Sequence, residues 1–226
     1  MTVQPETTRK RVLRPRDAAS LMLLDRSERR PKVLMGRRSK AHVFMPNLHV
    51  FPGGRRDPAD HRFANGSEMH PEVLRRLRLA KGEHCSPARL QALAVAALRE
   101  LQEEANLIVG KPVAGSPLAF LPDLTNLRYI ARAVTPPGHP RRFDTHFFAL
   151  FADEAEIDPA DVRDSQELED LRWIDLDDLS TVQVPDITAI VLADLRSALE
   201  DDASLAFDRP VPFYHTRRGR HIRDLL

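Results

Sequence analysis

The stretch Pro87–Ala105 constrains the fold more than any other part of the chain. Ser86 suits a helix N-cap and Pro87 the first helical position. Leu90, Leu93, Ala94, Ala97, Leu98 and Leu101 recur at three- and four-residue spacing, which gathers them on one helix face. Asn106 follows where a residue tolerant of left-handed backbone is wanted. The spacing predicts a helix over Pro87–Ala105. Away from its apolar stripe stand Arg99, Glu100, Glu103 and Glu104. Glu100 lies three residues before Glu103 and four before Glu104, so all three carboxylates share a face. Such like-charge pairs cost about 0.2–0.5 kcal/mol each on an exposed helix, and Arg99 offsets part of this by reaching Glu103 at i+4. Spacing alone leaves two readings open. One is a solvated acidic face of good helix formers; the other is a site for a hard cation, Mg²⁺ or Mn²⁺, which prefers carboxylate oxygens.

Other segments read more coarsely. Ala18–Asp25 and Lys32–Gly36 are apolar runs around a turn-rich Ser27–Pro31, which predicts a β-hairpin. His49–Phe51 leads into Pro52-Gly53-Gly54, a strong breaker. A polar stretch, Asp57–Cys85, holds one short helix, Pro71–Ala80. Leu127–Thr135, Thr145–Phe151 and Leu168–Ile174 read as strands, and Pro185–Leu199 as an amphipathic helix. Strands mixed with a few helices imply an α/β/α sandwich.

The length of 226 residues and 42% hydrophobic content allow one α/β domain with a sizeable core. No apolar run approaches the roughly 20 residues of a membrane span, so no membrane partner is expected. The single cysteine, Cys85, excludes an internal disulfide and points to a reducing, cytoplasmic setting. Charge is unevenly spread. Residues 1–56 carry 14 Lys/Arg against 4 Asp/Glu, and residues 151–208 carry 3 against 18. That dipole suits an anionic ligand near the basic part, although a solvated surface would look the same. Residues 1–17 read as a disordered basic tail, 18–207 as the domain and 208–226 as a second basic tail. Neither tail interleaves aromatics with its charge, so nucleic acid is not an expected partner.

Arg99-Glu100-Leu101-Gln102-Glu103-Glu104-Ala105-Asn106-Leu107 resembles the second half of the Nudix box, G-x5-E-x7-R-E-U-x-E-E-x-G-U. Phe51-Pro52-Gly53-Gly54 resembles its opening, and Gly54 followed after five residues by Asp60 matches G-x5-E with Asp for Glu. Residues 61–90 separate the two halves, which normally abut. Asn106 replaces the late box Gly, and Gln91 stands where the abutting box would put its first Glu. The chain is therefore similar to Nudix hydrolases, and to the subgroup with an insertion inside the box that includes coenzyme A diphosphatases. Leu34-Met35-Gly36-Arg37-Arg38-Ser39 resembles part of that subgroup's coenzyme A signature, with Val43 and Asn47 in place of its second Arg and its Gly.

The resemblance implies a Nudix-type α/β/α sandwich with a mixed sheet, interrupted by an insertion at 61–90. It implies hydrolysis of a diphosphate bond in a nucleoside diphosphate derivative, coenzyme A or an acyl-coenzyme A first. ADP-ribose or dinucleotide cleavage, or a catalytically silent nucleotide-binding regulator, are the alternatives. Glu100, Glu103 and Glu104 would hold Mg²⁺ or Mn²⁺, and Arg99 would orient a box glutamate. The general base would be a box glutamate or one of Glu167 and Glu169 in a later loop. Gly53 and Gly54 would bring backbone close to metal and phosphate, and Arg38 and Arg142 would bind substrate. By the same analogy the protein would be a homodimer.

Overall fold

A strand apolar on both faces needs cover on both, and Ala18–Asp25 is such a strand. In the computed structural model it forms the inner part of β1 (Arg16–Asp25), buried along almost its whole length. The structure describes residues 13–39, 47–63, 67–115 and 118–226. Most of the segment read as an N-terminal tail (1–12), and Val43 of the partial signature, lie outside these.

β1 pairs antiparallel with β2 (Lys32–Arg38), the hairpin expected from the turn-rich Ser27–Pro31. β3 (His49–Val50) lies beyond β2, and β4 (Gly53–Arg55) folds back on β1, Ala19 opposite Gly54. The polar stretch contains α1 (Pro71–Lys81), and the acidic helix is α2 (Pro87–Ala105). α2 begins and ends as its sequence requires. The Ser86 side chain accepts from the Arg89 N–H, and Asn106 adopts φ 57° with its N–H on the Gln102 carbonyl. A small separate ribbon follows, β5 (Gly110–Pro112) with β6 (Phe120–Pro122).

β7 (Arg128–Val134) and β8 (Phe143–Phe151) pair antiparallel, and β8 runs parallel to β1 from Arg16–Phe143 to Leu24–Phe151. β9 (Leu168–Asp175) pairs with β2, α3 (Asp186–Asp201) follows, and β10 (Pro212–Arg217) with β11 (Arg220–Leu225) closes the chain. Among the described residues nine strands form one mixed sheet, β11-β10-β7-β8-β1-β2-β3, with β4 on β1 and β9 on β2. α1 and α2 cover one face with Leu77, Leu93 and Leu98 against Leu21, Leu23 and Phe148. α3 covers the other, Val191, Leu192 and Leu195 packing on Met22, Leu24 and Phe151. This is the α/β/α sandwich that the sequence predicts. Among the described residues no helix is long and apolar enough to cross a membrane.

Two readings made from charge need correction. Arg16 and Asp17, assigned to the N-terminal tail, begin β1. Residues 212–225, assigned to a basic tail, form the β10–β11 hairpin, which joins the sheet through parallel pairing of Phe213 and Tyr214 with β7. The charges misled because edge strands carry polar residues on exposed positions; β11 is exposed at all but one residue. The insertion is also firmly docked. Val73, Leu77 and Ala80 are buried, and the Arg76 guanidinium donates to the carbonyls of Asp208 and Leu226. His70 stacks on Phe207 with ring centroids 4.0 Å apart.

The end of α1 is tied to the sheet by a partly buried charge cluster. Lys81 Nζ lies 2.6 Å from Asp17 Oδ1 and 2.8 Å from Asp144 Oδ2, and Arg132 grips Asp144 at 2.7 and 2.9 Å. Burial alone would raise the Asp144 pKa, but the Arg132 hydrogen bonds and the cations around it hold it well below the usual carboxylate range. His146, fully buried beside this cluster, shares a 2.8 Å hydrogen bond with the Tyr129 hydroxyl. Burial pushes its pKa from 6.5 down to about 3, against the opposing pull of Asp144.

A histidine neutral in the folded state but protonated near pH 6.5 when unfolded gives stability that is complete above 6.5 and declines as pH falls toward 3. From about pH 7 to about pH 5 this one residue should remove about 2 kcal/mol. Urea unfolding across that range should show the loss in the wild type and a much flatter profile in His146→Gln. Equal slopes would mean that His146 is not the group responsible.

Candidate active site

The acidic helix reaches its site through one guanidinium. Arg99 Nη1 donates to Glu100 Oε1 (2.9 Å) and to Glu103 Oε2 (3.0 Å), the i+4 pair expected from spacing. Its Nε donates to Asp60 Oδ1 (2.9 Å) and its Nη2 to the Arg55 carbonyl (2.9 Å). Asp60 is 1% exposed and also accepts from the Asp57 N–H at 2.6 Å. Asp60, six residues beyond Gly54, thus joins the two separated halves of the motif through Arg99.

Gly53 and Gly54 are required by close approach. A Cβ on Gly53 would stand 2.3 Å from Ser20 Oγ and 2.6 Å from the Ala19 carbonyl oxygen, and one on Gly54 would stand 2.3 Å from Glu100 Oε1. Contacts this short are impossible, so any side chain would separate β4 from β1 or displace the Glu100 carboxylate. The Gly53 N–H donates to Glu104 Oε2 at 2.8 Å. Glu104 is 3% exposed. Burial pushes its pKa up to about 8 despite that hydrogen bond, and the neighbouring charge of Glu100 adds to the rise. Glu100 is raised as well, first by burial, with Arg99 opposing and Glu103 and Glu167 reinforcing.

The three glutamates, Arg99, Gly53 and Gly54 line one pocket of about 770 Å³, within the range of ligand clefts. Glu100, Glu103, Glu104 and Arg99 form part of the wall beside Gly53 and Gly54, and Arg38, Arg142 and Glu167 also line it. Glu169 does not line it; it pairs with Arg37 at 3.1 Å. Of the two late-loop candidates for a base, the structure brings only Glu167 to the pocket. Arg142 is anchored, its Nε on the Thr135 carbonyl (3.0 Å) and its Nη1 on that of Leu13 (2.5 Å). His49 is buried outside the pocket, its Nε2 3.6 Å from Asp170. Arg14 and Arg16 reach the pocket although their charge had assigned them to a tail. The signal that could have found them is the alternation of Arg14, Arg16 and Ala18 ahead of an apolar strand.

The donor set suits a hard divalent cation, since Glu100, Glu103 and Glu104 offer only carboxylate oxygens. Loss of solvent, reinforced by neighbouring carboxylates, raises the pKa of both Glu100 and Glu104, the condition a cation would relieve. Among the described residues no three His, Cys, Asp or Glu side chains stand in a metal-holding group. Arg99 draws Glu103 outward, its side chain 51% exposed, while Gly53 holds Glu104 inward.

Comparison with known proteins agrees with this architecture. The family profile described as the NUDIX domain matches residues 89–195. The Caenorhabditis elegans protein described as nudix hydrolase 7 is 28% identical over 183 residues, 71% of this chain and 51% of the relative. A NUDIX hydrolase from Alicyclobacillus acidocaldarius is 28% identical with a TM-score of 0.63, covering 80% of this chain and 90% of that one. Over this region the chain is similar to Nudix proteins. It spans about half the length of the worm relative. A Shewanella oneidensis NUDIX domain, that of NrtR complexed with ADP ribose, shares the Nudix fold at 13% identity and TM-score 0.50, over 83% of this chain and 90% of that one.

Arg99 and Asp60 should be energetically coupled. Removing either partner of a largely buried ion pair costs about 3 kcal/mol, because the other charge is left unmatched. Arg99→Gln and Asp60→Asn should each lower unfolding stability on this scale, and the double variant should recover at least about 1 kcal/mol relative to their sum. Strict additivity in denaturant titrations would remove Asp60 from the Nudix motif.

Proposed function

We propose that this chain is a Nudix-type pyrophosphohydrolase that cleaves the diphosphate bond of a nucleoside diphosphate derivative, with coenzyme A or an acyl-coenzyme A as first candidates. The observation that carries this reading is the meeting of Glu100, Glu103 and Glu104 with Gly53, Gly54, Arg38 and Glu167 on one pocket. Glu100, Glu103 and Glu104 would hold Mg²⁺ or Mn²⁺. When bound, the cation would neutralise diphosphate charge and lower the pKa of the attacking water. Arg99 would hold the Glu100 carboxylate beside Gly54, and the Gly53–Gly54 backbone would leave room for phosphate oxygens beside it. Arg38 and Arg142 would bind substrate phosphate oxygens, for which a guanidinium fork is suited. Glu167 would take the proton of the water as it attacks phosphorus. The bond from that phosphorus to the bridging oxygen breaks, and the second phosphate leaves with its substituent. The same reading places the protein in the cytoplasm, on the strength of its single cysteine, and makes it a homodimer by likeness to its family.

An assay with Mg²⁺ or Mn²⁺ should convert coenzyme A to 3′,5′-ADP and 4′-phosphopantetheine, identified by mass. In Glu103→Gln/Glu104→Gln, kcat/KM should fall by about 10²-fold or more. Cleavage of ADP-ribose or a dinucleotide instead would keep the chemistry and replace the substrate. Nucleotide binding without cleavage of any compound would make the domain a regulator.

A further inference from the structure

Four arginines line the pocket at the end where β1 and β8 begin: Arg14, Arg16, Arg141 and Arg142. No carboxylate among the described residues pairs with any of them, whereas most other arginines near the pocket and the sheet are matched by acids, among them Arg99 by Asp60 and Arg132 by Asp144. Their grouping is built into the backbone. The Arg16 N–H donates to the Arg142 carbonyl at 2.9 Å, and the Arg142 side chain bridges the carbonyls of Leu13 and Thr135. Arg142 therefore ties the loop before β8 to the segment before β1 and holds both pairs of cations at one rim.

This rim is distant from the glutamates. Gly54 lies level with Ala19 on β1, and a strand advances about 3.3 Å per residue, so Arg16 begins about 10 Å away and Arg14 further still. A single diphosphate seated against Gly53 and Gly54 is too short to meet both walls. Between them the floor is apolar and hydroxylic, with Ala18, Thr145 and Phe147, and Phe51 and Ile187 stand on the same pocket. That pattern suits a ligand with an organic body and a separate anion.

We propose that the Arg14–Arg16–Arg141–Arg142 rim binds an additional phosphate of the substrate, distinct from the diphosphate that is cleaved. The inference rests on the reading that the scissile diphosphate sits at the glutamates, and it narrows the substrate class to compounds bearing a further phosphate. Two sources share this chemistry: a phosphomonoester pendant on a sugar, or the next phosphate of a longer chain.

The test is calorimetric binding to the full chain without added metal, so that binding is read apart from hydrolysis. Adenosine 3′,5′-bisphosphate and adenosine 2′,5′-bisphosphate are compared with 5′-AMP, and ATP with ADP. At low salt at least one added phosphate should tighten binding about tenfold or more, the scale of a charge-assisted contact. The margin should shrink to about twofold or less in Arg16→Gln/Arg141→Gln and return in part in Arg16→Lys/Arg141→Lys. A gain with a bisphosphate assigns the pendant group, and a gain with ATP assigns the chain. No gain with any probe, or a margin kept in the Gln variant, overturns the proposal. A margin found in a protein that hydrolyses nothing keeps the rim and removes the hydrolase; cleavage without a margin does the reverse.

Discussion

Much of this structure depends on one guanidinium held between two parts of the chain that lie far apart in sequence. Arg99 sits on α2, yet its hydrogen bonds reach Asp60 and the Arg55 carbonyl as well as Glu100 and Glu103. The fork geometry of arginine makes this possible, since each nitrogen can serve a different acceptor in one plane; a lysine in its place would offer a single point of charge. With three carboxylates and one carbonyl around it, Arg99 also limits the repulsion that an acidic helix face generates. Arg99 thereby opposes, without cancelling, the rise that burial imposes on Glu100.

The sheet keeps two kinds of charge apart by the alternation of its strands. On β8, Phe143, Thr145 and Phe147 line the pocket. Asp144 lies between them in the chain and is committed to Lys81 and Arg132, and His146 to Tyr129. Successive residues of a strand point to opposite faces, so the structural cluster and the ligand-facing surface occupy the same short segment without competing. The matched charges brace the insertion helix, while the unmatched ones stand at the pocket rim.

The sequence disclosed those features that depend on local periodicity and capping. α2 runs over the expected residues because Ser86, Pro87 and Asn106 act within a turn of their own positions. The Glu100–Glu103–Glu104 face was legible for the same reason. What escaped was decided by distant pairing. Arg16 and Asp17 look like tail residues until β8 lies alongside them, and the β10–β11 hairpin is recognisable only through β7. The separation of Glu167 from Glu169 depends on where β9 begins to pair with β2: Glu167 stands just before the strand, and Glu169 lies within it opposite Arg37. No pattern within Glu167–Trp173 encodes which acid faces the pocket.

The segment between the two motif halves is the case where length matters least. Closing a loop costs conformational entropy that grows only with the logarithm of its length, so each doubling adds about 0.6 kcal/mol. Once Asp60 and Arg99 clasp each other, the number of residues strung between them is nearly invisible to the geometry of the site. α1 recovers more than that small entropic penalty by burying Val73 and Leu77 and by setting Lys81 between Asp17 and Asp144. An interrupted motif therefore behaves as a hinge point for evolution, where sequence can be added and later given a supporting role while the chemistry next to it stays in register.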